Sequence, residues 1–287
     1  MRPDDQLDRD HTPSVLMAEA DAGDGEAAHH LALMSAAGLG RPHDWSEAFR
    51  RLDQAAAHGH ALAAETRRFL GQAPSLEDWL TPPAPTLVSS EPHVLAISGF
   101  VSGETCDWLR ERAAPHLQKA PVYDPETGQP IVKWSRTNSA TSFDILDCDL
   151  VMMLVRERIA RATGLPVVGL EAVQILHYAV GEAFTPHYDW LDPEKPGHRP
   201  DLEERGQRMA TFLTYLNDDY AGGETEMEAI GLMHRGKKGD AFFWANVKPN
   251  GRIDLATRHA GRPPTAGEKW VYSQWLRNRA PRSLAGT

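Results

Sequence analysis

The sequence predicts an α+β protein in which a small all-α helical-repeat region, residues 14–74, precedes a larger β-rich region of sandwich or jelly-roll type, residues 91–280. Three observations carry this reading. Residues 14–72 are alanine-rich and repeat at an offset of 36. The hydrophobic periodicity changes at about residue 91. Two helical segments are then followed by many short strand-like runs punctuated by turn residues, the order expected when helices flank one side of a sheet.

Taken in order, "MRPDDQLDRDHTP" (1–13) is acidic and polar, reads as a tail, and has no apolar stretch of signal-peptide type. "ADAGDGEAAHHLALM" from Ala20 aligns with "AAHGHALAAETRRFL" from Ala56, pairing Gly23 with Gly59, Ala27 and Ala28 with Ala63 and Ala64, and Met34 with Leu70. Glycine ends one helix, small alanines let the next pack closely, and the period implies stacked helical hairpins. Two such units bury too little surface to stand alone, so the block is expected to pack on its neighbour. His29, His30, His43, His58 and His60 read as surface or packing residues without a paired acid. The proline-bearing stretch 75–90 reads as a linker.

Beyond it, "HVLAISGF" is strand-like, and "SGETCDWLRERAAPHL" reads as a helix opened by a serine cap. "DCDLVMMLVRERIARATG" reads as a second helix ending at Gly164. The strands expected after it are "AVQILHYAV", "PHYDW", "RMATFLTYLND", "KGDAFFWAN" and "EKWVYSQWL", with a tail at 281–287.

Composition narrows the function. With 287 residues, 41% of them hydrophobic, the chain can build a proper core, and a net charge of −10 argues against a nucleic-acid partner. Cys106 and Cys148 form no C-x-x-C, which excludes a disulfide scaffold or thiolate zinc cluster and fits a reducing, cytoplasmic compartment. The longest apolar run, "VMMLV" (151–155), is too short to span a membrane.

The chemistry starts at "FTPHYDW" (184–190), where His187 and Asp189 lie two apart. On a strand both would project from one face, supplying two of the three ligands of a non-haem iron site. The third is expected on a late strand, and His259 in "TRHAGRPPTAGEKW" suits a strand facing the first across a small barrel. Alternation puts Lys269, Val271, Ser273 and Trp275 on one face. A lysine facing inward among bulky residues calls for an anion. Tyr178 shares a face with Gln174 and Leu176, and Thr211 with Leu213 and Tyr215. Lysine, tyrosine and threonine could together hold a small dicarboxylate beside the metal. A zinc hydrolase would leave Lys269 unexplained and no H-E-x-x-H occurs. A sugar-binding or isomerase barrel would not need the lysine, and a non-catalytic repeat scaffold would not need the triad.

Four stretches together, "EAVQILHYAVGEAFTPHYD", "QRMATFLTYLNDDYAGGET", "KKGDAFFWAN" and "ATRHAGRPPTAGEKWVYSQWL", resemble the prolyl 4-hydroxylase family of iron(II)/2-oxoglutarate dioxygenases over residues 91–279. The resemblance implies a double-stranded β-helix and iron ligation by His187, Asp189 and His259. It implies a 2-oxoglutarate site at Lys269, Tyr178, Thr211 and Trp275, and substrate contacts at Arg136, Glu171 and Arg208. It also implies Fe(2+), 2-oxoglutarate and O2, with ascorbate as a further candidate. The expected reaction hydroxylates an unactivated C–H bond, of a prolyl residue in a peptide or protein or of a free amino acid or other small molecule, while 2-oxoglutarate is decarboxylated to succinate. Met227 and Glu228 stand where the family often has an aromatic and a proline, and are expected to reshape the pocket wall. Asn138 replaces a usual serine in the loop 123–143, which with the loop after Asp189 reads as a lid. "GLGRPHDWSEAFRRLDQAAAHG" (38–59) is similar to a Sel-one-like repeat, a relative of the tetratricopeptide repeat, and such repeats imply a protein partner.

Overall fold

The computed structural model describes residues 12–71 and 75–279. The tails expected at 1–13 and 281–287 lie outside the described residues, except Thr12 and Pro13, with which the first helix opens. The helices are α1 (Pro13–Asp21), α2 (Gly25–Ala37), α3 (Trp45–Ala57), α4 (Ala61–Leu70), α5 (Leu76–Leu80), α6 (Gly103–Ala113), α7 (Leu150–Thr163) and α8 (Arg199–Arg205). The chain divides into two compact units, one holding residues up to 82 and 143–168, the other 83–142 and 169–279.

In the helical unit every helix but α1 starts at a side-chain cap. Asp24 accepts from the backbone N–H groups of Glu26 and Ala27, Asp44 from those of Ser46 and Glu47, and Asp149 from that of Met152. These bonds satisfy amides that have no partner within their own helix. Helices α1 to α4 pack consecutively, and α7 packs against α2, α4 and α5. The six residues from Leu150 to Val155 are all buried, so the first half of α7 is apolar on every side and needs neighbours all round. Arg158 donates to the carbonyls of Asp78 (2.7 Å) and Trp79 (2.6 Å), covering the end of α5. Residues 143–168, read from sequence as part of the oxygenase region, group instead with the helical unit, where α7 packs against α2, α4 and α5. The linker expected at 75–90 is not structureless either, since it carries α5 and an edge strand. Three of the amino-terminal histidines do have an acid: Glu26 lies 3.3 Å from His30 and 3.0 Å from His60, whose ring stacks on buried His29, and Glu157 lies 3.7 Å from His43.

The second unit is built on antiparallel sheets. Its strands are β1 (Thr86–Ser89), β2 (Val94–Ile97), β3 (Gln118–Lys119), β4 (Val122–Tyr123), β5 (Pro130–Ile131), β6 (Ser139–Phe143), β7 (Val173–Tyr178) and β8 (Phe184–His187). They continue with β9 (Arg208–Tyr215), β10 (Ala221–Gly222), β11 (Thr225–Met227), β12 (Leu232–His234), β13 (Ala241–Ala245), β14 (His259–Gly261), β15 (Pro264–Ala266) and β16 (Lys269–Arg277). A large sheet runs β1-β2-β13-β9-β16-β7-β6-β3, and a smaller one β12-β11-β14-β8. The alternation read from sequence holds: Leu176, Tyr178, Leu213, Tyr215, Phe242, Trp244 and Val271 share one core cluster. As expected, Ser102 caps α6 by accepting from the N–H of Thr105. Among the described residues no helix is long and apolar enough to cross a membrane.

Candidate metal centre

His187 ends β8 and His259 opens β14, and the two are direct partners in the antiparallel register. Facing residues on neighbouring strands hold their side chains close, which brings the ring centroids to 4.2 Å. The two histidines are therefore lateral neighbours in one sheet, not opposed across a barrel as the sequence suggested. Asp189 follows β8 by two residues and closes the group: its Oδ1 lies 3.6 Å from His187 Nε2 and its Oδ2 3.4 Å from His259 Nε2. One ligand atom from each residue lies within 4.8 Å of the others.

The donor set suits a divalent metal. Each histidine is two residues after a threonine, and its Nδ1 bonds that threonine's carbonyl, 2.8 Å from Thr185 and 2.9 Å from Thr257. Those bonds fix the tautomer with Nε2 bare, the atom that ligates. Burial pushes the His187 imidazole down to about 3, with the neighbouring His259 adding to the effect, so the ring is neutral near pH 7. Phe184 stacks on His187 at 3.5 Å and Trp244 lies 4.5 Å from His259, walling the centre with aromatic surface. Two imidazoles and one carboxylate on one side of a cavity, with the other side open, define a facial metal centre.

The cavity beside it is lined by Lys269, Tyr178, Trp275, Thr211 and Arg136, all anticipated, and by Gln174, Leu176, Leu213, Val271 and Ser273 on the faces the alternation gave. Lys269 is only 2% exposed, and among the described residues no carboxylate pairs with it. Its ammonium lies 5.3 Å from the Tyr178 ring centre and 5.8 Å from that of Tyr215, and burial pulls it down to about 8. A buried cation held between aromatic faces is a seat for a carboxylate. Gly261 keeps the Tyr178 hydroxyl clear, since a Cβ there would lie 3.2 Å from that oxygen. Phe184, Thr225 and Trp244 also line the cavity, although sequence reasoning named none of them. The continuous apolar run "AFFWAN" marks a strand but not which of its faces lines the cavity.

Several expected roles change. The Thr211 hydroxyl donates to Asp189 Oδ2 at 2.6 Å, so its one proton is committed to a metal ligand and is not offered to 2-oxoglutarate. Glu171 and Arg208 stand outside the cavity lining. Arg208 forms a two-pronged pair with Glu171 (2.6 and 3.0 Å) and lies 3.5 Å over the Trp275 ring. Burial would push the Glu171 carboxyl up, but Arg208 and Arg277 pull it down to about 2. These two residues thus support the wall through Trp275. Arg136 does line the cavity, 6% exposed, with Nε donating to Asn138 and its guanidinium 4.7 Å over Phe184. Asn138 thus helps to fix the Arg136 guanidinium. Met227 is fully buried in the core behind the centre and does not line the cavity, while Glu228 pairs at the surface with Arg258. The two expected lid loops touch: the N–H of Gly197 bonds the carbonyl of Pro125, and Lys195 pairs with Glu126 at 3.1 Å.

Comparison with known proteins agrees with this site. Residues 173–277 match the 2OG-Fe(II) oxygenase superfamily. The chain is 32% identical over 209 residues to probable prolyl 4-hydroxylase 3 of Arabidopsis thaliana, a match covering 66% of this chain and 71% of that one. It is 33% identical over 213 residues to prolyl 4-hydroxylase subunit alpha-1 of Gallus gallus, covering 74% of this chain but only 39% of the longer subunit. Among solved structures, the viral collagen prolyl hydroxylase of Paramecium Bursaria Chlorella virus-1, in complex with 2OG, has a TM-score of 0.50 at 25% identity, covering 66% of this chain and 98% of that one. The chain belongs to the prolyl 4-hydroxylase family of 2OG-Fe(II) oxygenases.

Proposed function

We propose that this chain is an iron(II)- and 2-oxoglutarate-dependent dioxygenase that hydroxylates prolyl residues of a peptide or protein. The observation that carries the reading is the convergence of His187, Asp189, His259 and the buried cation Lys269 on one cavity. Iron(II) bound there would supply the redox chemistry that couples 2-oxoglutarate decarboxylation to succinate with C–H hydroxylation. His187, Asp189 and His259 hold the metal; Lys269, assisted by Tyr178, takes the distal carboxylate of 2-oxoglutarate; Trp275 and Leu176 exclude water. No side chain has to move a proton.

A peptide substrate is favoured by the hairpin β4–β5 and the residues after it. Tyr123, Val132 and Trp134 are 55%, 69% and 83% exposed, three apolar side chains on the segment that leads in sequence to Arg136, which lines the cavity. Aromatic platforms of this kind suit extended proline-rich chains. The fold reading that goes with this function is a double-stranded β-helix, in which the eight- and four-stranded sheets would form the two walls.

The helical unit is read as Sel-one-like repeats. In support, α1 ends at Asp21 and α3 at Ala57, while α2 begins at Gly25 and α4 at Ala61, each pair 36 positions apart. Gly23 and Gly59, which follow α1 and α3, both have positive φ. Such a block could recruit a protein partner as well as brace α7. The two free, buried cysteines fit a reducing, cytoplasmic setting. Ascorbate fits as a reductant for idle iron.

The test is succinate formation from 2-oxoglutarate across a panel of proline-rich peptides and free amino acids, with the product located by mass spectrometry. Gain of one oxygen atom on a peptidyl proline is the expected result. Turnover stimulated only by a free amino acid would overturn the peptide assignment.

A further inference from the structure

The Asp189 carboxylate is held by a chain of two hydrogen bonds that runs away from the cavity. Thr211, in the middle of β9, donates its hydroxyl to Asp189 Oδ2 at 2.6 Å, and Asn246, just past β13, donates Nδ2–H to Thr211 Oγ1 at 3.0 Å. All three side chains are buried: Asp189 is 4% exposed, Thr211 1% and Asn246 0%.

The direction of this relay is forced. A carboxylate offers only acceptors, so the single threonine proton points to Asp189. The Thr211 oxygen must then accept, which obliges Asn246 to present its NH2 group. That orientation leaves Asn246 Oδ1 buried with no partner. An orphaned buried carbonyl is costly, and the amide could not turn over to relieve it without setting two acceptors against each other. The backbone at Asn246 is fixed from both sides, its N–H donating to Met209 and its carbonyl accepting from Asp254. The relay therefore starts from a rigid point, and its unsatisfied end points to a role other than stability.

We propose that Asn246, acting through Thr211, is a positioning device that holds Asp189 to ligation through one oxygen. With the Oδ2 lone pair engaged by Thr211, Oδ1 is the atom left without a protein donor among the described residues. A carboxylate ligating through one oxygen leaves three metal positions open, two for a chelating 2-oxo acid and one for O2. If Asp189 swung free and chelated with both oxygens, one of those positions would be lost. This inference rests on the metal-centre reading above and deepens it.

The experiment titrates the metal-free full-length protein with Mn(II) by calorimetry, then adds 2-oxoglutarate. The variants are Thr211→Val, which keeps the shape and removes the hydroxyl, Thr211→Ser, which keeps the hydroxyl, Asn246→Leu, and the double variant Thr211→Val/Asn246→Leu. Loss of outer partners of a metal ligand weakens binding by about ten- to a hundredfold. Thr211→Val is expected to weaken Mn(II) or the subsequent 2-oxoglutarate chelation by that factor, with the metal-free melting curve unmoved, and Thr211→Ser to restore it. Because the relay acts as one unit, the double variant should lose no more than Thr211→Val alone. If Asn246→Leu does not fold, the Val/Ser pair at position 211 decides alone. Wild-type affinities for both ligands in Thr211→Val would overturn the relay. Equal Mn(II) binding by the wild type and His187→Ala would instead overturn the metal centre itself, so the two failures are distinguishable.

Discussion

His187 and His259 each give an Nδ1–H to the carbonyl two residues before them, so both arrive at the cavity with the ligating nitrogen free. We expect His187→Ala, Asp189→Ala and His259→Ala each to abolish metal-dependent 2-oxoglutarate turnover while leaving the fold intact, as read by circular dichroism. Full turnover under limiting iron in any one of them would remove that residue from the centre. Lys269→Ala should weaken 2-oxoglutarate by about tenfold to a hundredfold, the worth of a charge-assisted hydrogen bond in a dry pocket. Lys269→Arg should fail as well, because the broader guanidinium needs more room. Since burial lowers the Lys269 ammonium to about 8, 2-oxoglutarate affinity should be full below that pH and fall as the pH rises through it. The unliganded protein has the opposite sign. The unfolded chain keeps the proton to about 10.5, so this lysine's contribution to stability grows as the pH rises from about 8 to 10.5. An affinity that does not change between pH 7 and 9 would contradict the role. His187, His259 and Lys269 were legible because they lie on strands, where alternation decides which way a side chain faces, and Asp189 because it stands two positions from His187. The partner of the Thr211 hydroxyl was not legible, since a carboxylate 22 positions away in sequence reaches it only through the tertiary fold.

At the scale of elements, the ends of three adjacent strands are tied behind the cavity. Glu171 precedes β7, Arg208 opens β9 and Arg277 closes β16, and the one carboxylate pairs with both guanidinium groups. Removing one member of a buried ion cluster leaves uncompensated charge and costs about 3–5 kcal/mol. Glu171→Gln should show that loss as a lower urea midpoint at neutral pH. The folded carboxyl sits near 2, below its usual 4.5, so its contribution is complete above 4.5 and is lost as the pH falls through about 2. An unchanged midpoint would mean that the cluster is not a support. Sequence reasoning assigned Glu171 and Arg208 to substrate because charged residues near a site look functional when their mutual pairing cannot be seen. The strands themselves were readable, whereas the short β3, β4, β5, β10 and β15 were not. Two- and three-residue pairings carry no period of their own.

For the molecule as a whole, α7 couples the two units through the chain, which leaves the β-rich unit at residue 142 and returns at 169. The sequence indicated that the amino-terminal helical block needs a neighbour. What it could not indicate is that Leu150–Val155 of this helix are all buried, with α2, α4 and α5 packed against it. Deleting residues 1–80 should therefore expose the apolar face of Leu150–Val155, lowering the melting temperature and the soluble yield. A truncated protein as stable as the full chain would show that the repeats form an independent binding arm.

The central claim is that one cavity binds iron(II) through His187, Asp189 and His259 and 2-oxoglutarate through Lys269 to hydroxylate peptidyl proline. The most direct measurement quantifies succinate and hydroxylated product together, with iron and a proline-rich peptide, for the wild type, His187→Ala and Lys269→Ala. Equal amounts of succinate and hydroxyproline in the wild type are expected, with none from His187→Ala and recovery of Lys269→Ala only at high 2-oxoglutarate. Hydroxyproline formed without succinate, or undiminished product from His187→Ala, would contradict the account.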